Sequence, residues 1–354
     1  MRVLGLALVA LLAVASGFAV YSRINKRSNP NPKLLERYNR WKLLFGKLYS
    51  TPAEQDYRLQ IFIQKAEEVD QDNIIYEKWS IENGHGPLDS PAFILQSHAD
   101  LTKEEFKKKF LGLDVTKMRS FEIEEAPEFP EVPEQANLAQ ASYIAKIRNQ
   151  GECGSCWAFS TVATLNKQYF DKYKVQVDLS EQDLVDCSYE DNGCDGGWPA
   201  NTYYHVADNG IAFDSEYPYR GSVGTCKRTS NLKSGRTTIA GEITSKTLPY
   251  TQASAQNFAR MGVIAGLAIH AGGKFSSFDF SNDKIYNPAV LGECTKNIDH
   301  AVNLGGADGT YTIIHNSWGA NWGTKGRGKV QACTGGLLGT PAYITHTYSK
   351  LPTA

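Results

Sequence analysis

The sequence predicts an α+β protein in two parts: a charged helical region without cysteine, then a cysteine-bearing region in which a helix precedes short strands. Three observations predict this. All seven cysteines, at 153, 156, 187, 194, 226, 294 and 333, fall in the second part, and the stretch from Ala15 to Glu152 has none. Apolar residues of the first part recur at helical spacing. In the second part that spacing holds just after Cys156 and then gives way to strand-like runs. The chain has 354 residues, 42% hydrophobic and 21% charged, enough for a sizeable core. Its formal net charge is -1, and 19 basic residues balance 19 acidic ones from Val132 onward. That balance excludes a broad basic surface for nucleic acid or anionic lipid.

In chain order, Met1-Arg2, an apolar run from Val3 to about Val14 and the small residues of "ASGFA" read as a targeting segment. A signal peptide over 1–17, cut after Gly17, is expected; an uncleaved anchor is the alternative, because the apolar stretch continues weakly to Val20. Both routes lead into the secretory pathway, where disulfides persist. Leu34, Tyr38, Trp41 and Phe45 then mark one face of a helix. A second helix begins with Thr51 as N-cap, Pro52 at the first helical position and Glu54 completing a capping box, with Glu54 and Arg58 one turn apart in the favourable order. The acidic, proline-bearing stretch "FEIEEAPEFPEVP" from Phe121 to Pro133 reads as an exposed linker. Beyond it, Ala158, Val162, Leu165 and Tyr169 give a helix, and "TTIAGEIT", "GLAIHA" and "GTYTIIHNSW" give strands.

Chemistry concentrates in "NQGECGSCWAFS", from Asn149 to Ser160. An odd number of cysteines leaves one thiol unpaired, or shared with another molecule, in a secreted chain. Cys156 is the candidate, because it sits in the first turn of the expected helix with Ser155 as N-cap, where the helix dipole favours a thiolate. Gly151 and Gly154 leave room for a substrate backbone. A nucleophilic thiolate needs an imidazole to hold the proton and a group to orient that imidazole. His300 in "NIDHAVNLGG" and His315 in "IIHNSWGANWG" both qualify, and spacing alone does not choose between them. Asn316 supplies an orienting amide, and Trp318 and Trp322 supply aromatic shielding.

"QGECGSCWAFS" resembles the active-site segment of the papain family of cysteine proteases, "NIDHAV" its histidine segment and "HNSWGANWG" its asparagine segment, in the same order. With "LVDCSYEDNGCDGGWP" the resemblance covers 132–354. It implies a papain-like fold of two subdomains, a helical one and a β-barrel-like one with a cleft between, and the family's peptide-bond hydrolysis through a thioester acyl-enzyme. It assigns Cys156 as nucleophile, His300 as base and then acid, Asn316 as the residue that orients His300, and Gln150 as an oxyanion-hole donor. His315 becomes a bystander. The same resemblance pairs Cys153 with Cys194, Cys187 with Cys226 and Cys294 with Cys333. For the pocket reading the second residue before the cut it implies Trp198, Pro199, Ala268, Ile298, Ala301 and Leu338, all apolar, hence a bulky hydrophobic preference. Gly196 and Gly197 would meet an extended substrate by backbone hydrogen bonds, and Trp318 would border the site. No metal or organic cofactor is required.

Residues 18–131 resemble the inhibitory prosegment of the cathepsin L-like branch. Its helix motif stands here as Glu54, Arg58, Phe62, Lys65, Val69 and Asn73, four of six identical, while the second motif, "ILQSHAD", keeps only Asp100. The expected partners are polypeptide substrates, the chain's own propeptide and protein inhibitors of the cystatin type, with a monomeric mature enzyme; the expected compartment is the lysosome, a vacuole or the exterior. Three rival classes are a C-x-x-C disulfide oxidoreductase, a catalytically dead binding homologue, and plain packing roles for Cys156 and His300. The first wants a β-α-β context that is absent here, and the joint presence of Gln150, Cys156, His300 and Asn316 weighs against the others.

Overall fold

The computed structural model describes residues 31–117, 146–227 and 265–332 except 283, 296 and 308, together with 248–249, 253, 255–256 and 338–339. The signal segment, the linker, the "TTIAGEIT" strand and Cys333 lie outside the described residues. The chain forms two compact units, one of residues up to 74 with 93–102, the other of 75–92 with everything from 103 onward. No helix among the described residues is long and apolar enough to cross a membrane.

In the first unit, α1 (Pro32–Leu44) starts where the Asn31 side chain accepts from Lys33 N–H at 3.0 Å. Helix α2 (Pro52–Glu82), whose residues up to Ile74 belong to this unit, starts at Thr51, whose Oγ1 accepts from Glu54 N–H at 3.1 Å. Glu54 returns its carboxylate to Ser50 N–H at 3.0 Å, one residue earlier than a capping box would place it. The two helices meet through Tyr38, Trp41, Leu59, Phe62 and Ala66. Phe62 lies 5.1 Å from the Tyr38 ring and 5.0 Å from that of Trp41, so the core is largely aromatic. Val69 is buried further along the same face. The Asn73 amide brackets Phe93, donating to its carbonyl at 2.9 Å and accepting from its N–H at 2.8 Å. The divergent "ILQSHAD" segment is fixed through main chain and one carboxylate. Trp41 Nε1 donates to the Gln96 carbonyl at 2.9 Å, Arg58 donates to the Asp100 carbonyl at 3.1 Å, and the buried Asp100 carboxylate accepts from Lys47 Nζ at 3.1 Å and Tyr49 Oη at 2.9 Å.

The second unit has α3 (Lys103–Phe110), α4 (Cys156–Tyr173), α5 (Glu181–Cys187) and α6 (Pro199–Asn209). The last three pack around Trp157, Leu165, Tyr169, Leu184 and Tyr203. Ser155 holds the N-cap position of α4 but does not cap it. Its hydroxyl is taken by Tyr219 Oη at 2.8 Å, which corrects the sequence expectation. Cys153 is bonded to Cys194 and Cys187 to Cys226. Cys294 is also disulfide-bonded, and Cys156 is free.

The strands are β1 (Leu248–Pro249), β2 (Ala265–Ile269), β3 (Ile285–Tyr286), β4 (His300–Ala307), β5 (Thr312–His315), β6 (Arg327–Val330) and β7 (Leu338–Gly339). A five-stranded sheet runs in the order β2-β4-β5-β6-β3, and β1 pairs with β7. Helix α4 lies against β4: Ser160 Oγ donates to the Val302 carbonyl at 3.2 Å, and Asn303 Nδ2 donates to the Ser160 carbonyl at 2.9 Å. These side chains fix the start of α4 against the start of β4. Cys156 and His300 are the first residues of those two elements.

Candidate active site

Cys156 is fully buried, and its Sγ accepts from Ala301 N–H at 3.4 Å. The loop before it is held from two sides. The Cys153–Cys194 bridge and Gly154 N–H, donating to the Cys194 carbonyl at 2.9 Å, fix one end. Gln150 N–H, donating to the Ser317 carbonyl at 2.8 Å, fixes the other. Ser317 Oγ also donates to Gln150 Oε1 at 2.5 Å, which turns the Gln150 Nε2 group into the cleft. The sequence reading missed this role for Ser317, although the residue lies inside the "HNSWG" motif.

His300 Nε2 meets Asn316 Oδ1 at 2.8 Å, and the Trp318 ring covers His300 at 4.9 Å between centroids. Trp318 is itself packed by Trp322 at 5.8 Å and Phe275 at 6.0 Å, so water is kept off the imidazole–amide contact. His300 Nδ1 is buried without a hydrogen-bond partner. Of the two candidate histidines, His300 is the one that meets Asn316. His315 sits on β5 over Gly305, where a Cβ would lie 2.3 Å from His315 Nε2, and is not hydrogen-bonded to Asn316.

The cleft is filled by the stretch after α3. The Gly112 carbonyl accepts from Gly197 N–H at 2.9 Å, and Asp114 N–H donates to the Gly197 carbonyl at 3.0 Å, pairing Leu113 with Gly197 in parallel. Leu113 N–H donates to the Asp299 carbonyl at 3.1 Å, and the Gly112 backbone hydrogen-bonds the Cys156 thiol. Gln150 Nε2, the expected oxyanion donor, is engaged by the Phe110 carbonyl at 3.1 Å and the Cys153 carbonyl at 2.9 Å. Gly112 has no room for a side chain, because a Cβ would lie 1.8 Å from the Gly154 oxygen. Sequence reading gave no signal for this, since Gly112 has none of the positive φ values by which glycines usually announce themselves.

Burial shapes the electrostatics. It pushes the Cys156 thiol up to about 12, against hydrogen bonds from the Ala301, Gly112 and Trp157 backbone. It pushes His300 down to about 4, against the Asn316 hydrogen bond and the nearby Asp299 charge. Both shifts favour the neutral pair. With the cleft filled, thiol and imidazole are uncharged.

Of the expected pocket residues, Gly196 and Ile298 line an open cavity of about 470 Å³ beside Leu111 to Thr116. Trp198, Pro199, Ala268 and Ala301 are buried, Trp198 as the N-cap of α6 and Ala268 paired with Ala301 across β2 and β4. Leu338 is in β7, paired with Pro249.

Residues 132–340 match the papain family cysteine protease model, and residues 38–106 match the cathepsin propeptide inhibitor domain. Cathepsin L 2 of Paramecium tetraurelia is 33% identical over 317 residues, covering 86% of this chain and 91% of that one. Chymopapain of Carica papaya is 32% identical over 329 residues, covering 89% and 86%. The digestive procathepsin L2 proteinase of the Tenebrio molitor larval midgut has the same fold, with a TM-score of 0.67 at 24% identity over 88% of this chain and all of that one. Fold and site together define a cysteine peptidase precursor. The chain belongs to the papain family of cysteine proteases, and its N-terminal part is a propeptide of the inhibitor type.

Proposed function

We propose that the mature enzyme is a cathepsin L-like endopeptidase in which Cys156, His300, Asn316 and Gln150 carry the reaction. The observation that carries this reading is the His300–Asn316 contact of 2.8 Å, which leaves Nδ1 as the free ring nitrogen, one residue before Ala301, whose N–H bonds the buried, unpaired Cys156 thiol at 3.4 Å. When the cleft opens to water, the proton of Cys156 moves to His300 Nδ1, giving a thiolate and an imidazolium. Sulfur attacks the scissile carbonyl carbon. The oxygen takes up the negative charge facing Gln150 Nε2 and the Cys156 N–H. Collapse expels the amine, which receives the Nδ1 proton, and a thioester remains. Water then loses a proton to His300, attacks the thioester and returns the thiol and a carboxylic acid.

The substrate lies extended, bonded to Gly197, with a bulky apolar residue second before the cut against the apolar side chain of Ile298. The N-terminal apolar segment supports entry into the secretory pathway, with a lysosome, a vacuole or the exterior as destination. A monomeric mature enzyme open to cystatin-type inhibitors accords with a cleft that one extended chain segment already fills.

The test compares the full-length precursor with its Cys156→Ala variant at acidic and neutral pH, following chain length and cleavage of fluorogenic peptides that differ in the second residue before the cut. Wild type is expected to shorten and cleave the peptide with the bulky apolar residue, and Cys156→Ala to do neither. Correct trimming without peptidase activity would sink the assignment.

A further inference from the structure

Beside the catalytic histidine lies a second imidazole that the mechanism does not use. His270, just beyond β2, is held between two carboxylates: Nδ1 meets Asp299 Oδ2 at 2.9 Å, and Nε2 lies 3.6 Å from Glu293 Oε2. Neither acid is there by chance of a surface rotamer. Asp299 also accepts from Ala271 N–H at 2.7 Å and Gly272 N–H at 3.2 Å, and Glu293 accepts from Lys274 N–H at 3.0 Å. Gly272 and Gly273 admit the carboxylates, since a Cβ at these positions would lie 2.7 Å from Asp299 Oδ2 and 1.7 Å from Glu293 Oε2.

The cluster borders the cleft. A Cβ at Gly272 would also lie 3.2 Å from Leu111 Cδ1, so the Leu111 side chain rests on Gly272 beside the Asp299 carboxylate. Gly112 lies at the thiol, and Leu113, on its far side, pairs with Gly197. Gly197 and Ile298 belong to the side read for residues before the cut, so Leu111 holds the subsite of the residue after it.

We propose that His270 is a specificity-determining residue, whose proton sets whether the subsite vacated by Leu111 carries one net negative charge or two, and hence how well the enzyme accepts a basic residue immediately after the scissile bond. The inference rests on the endopeptidase reading above. With His270 protonated, its positive charge offsets one of Asp299 and Glu293; without the proton both stand uncompensated. The Asp299 hydrogen bond and charge, with Glu293 and the Asn297 carbonyl, hold the His270 proton above the ordinary histidine range, against partial burial. The other charged groups lining the adjoining cavity are Glu104, Lys107, Lys108 and Asp114 of the propeptide, which depart on activation, and Asp195. A rise in pH therefore makes the subsite more anionic.

The experiment uses enzyme activated from the full-length precursor and three peptides identical except for Leu, Lys or Glu after the cut. The Leu peptide is the internal reference, because titration of Cys156 and His300 cancels in the kcat/KM ratios. In wild type the Lys-to-Leu ratio is expected to rise roughly three- to tenfold from about pH 5 to about pH 8, and the Glu-to-Leu ratio to fall. His270→Asn should show the high Lys-to-Leu ratio at every pH. Glu293→Gln, which removes one carboxylate, should lower the ratio and move its midpoint to lower pH. A wild-type ratio that is flat with pH overturns the proposal without needing any variant, as does a His270→Asn profile that matches wild type. Absence of cleavage of all three peptides overturns the endopeptidase reading as well, whereas cleavage with a flat ratio overturns this inference alone.

Discussion

At the scale of single residues, the proposed catalytic pair is held without charge by burial. Cys156 pushed up to about 12 and His300 down to about 4 leave the pair uncharged between those limits. Alkylation of Cys156 by iodoacetamide should therefore be slow in the intact precursor and still rising about tenfold per pH unit at about pH 9, and fast at mildly acidic pH once the propeptide is gone. Equal rates in the two forms would contradict the assigned charge states. Gly112 is the residue that lets the segment approach this pair closely. Gly112→Ala would press a methyl group into the Gly154 carbonyl and weaken the hold of the segment by about 2 kcal/mol, roughly thirtyfold. Thiol labelling of the unprocessed Gly112→Ala precursor should rise accordingly, and labelling at the wild-type rate would count against the close approach.

At the scale of elements, the sequence was most legible where a period or a cap writes itself locally. The spacing of Tyr38 and Trp41 and the Thr51-Pro52-Glu54 start led directly to α1 and α2. The helix after Cys156 was equally plain, but the Ser155 cap was not, because the residue that diverts its hydroxyl, Tyr219, is 64 positions away. Distance in sequence also hides how "ILQSHAD" keeps its place. It lost most of its motif side chains, yet Trp41 and Arg58 hold its carbonyls and Lys47 and Tyr49 hold Asp100. Asp100→Ala would leave Lys47 and Tyr49 without their acceptor and cost the first unit about 3 kcal/mol. Urea unfolding of the precursor followed by hydrogen exchange at the amides of 32–44 should show an earlier transition; an unchanged midpoint would mean that the main-chain contacts suffice.

At the scale of the whole molecule, the site is assembled from segments that no local window joins. The sequence supplied its residue types, and the family resemblance chose His300 over His315. What neither gave was the state of the cleft, because Phe110 and Gly112 reach Gln150 and Cys156 across about 40 residues. Acid should open that cleft. His300 is at about 4 in the filled site, below its ordinary value near 6.5, so its contribution to closure is fully present above about pH 6.5 and is lost as pH falls toward 4. The protection of the Leu113 and Asp114 amides, taken as exchange relative to the intrinsic rate at each pH, should fall over that window in Cys156→Ala precursor, and protection that is flat from about pH 7 to about pH 4 would remove His300 as the trigger. The Cys153–Cys194 bridge closes 41 residues, and replacing both with Ser should lower stability by about 4 kcal/mol in denaturant titrations. The bonds between Gly197 and the Gly112–Asp114 stretch have a wider consequence, because peptide groups alone make them. A changed side chain at 111 or 113 leaves those bonds their partners, whereas any side chain at 112 meets the Gly154 carbonyl.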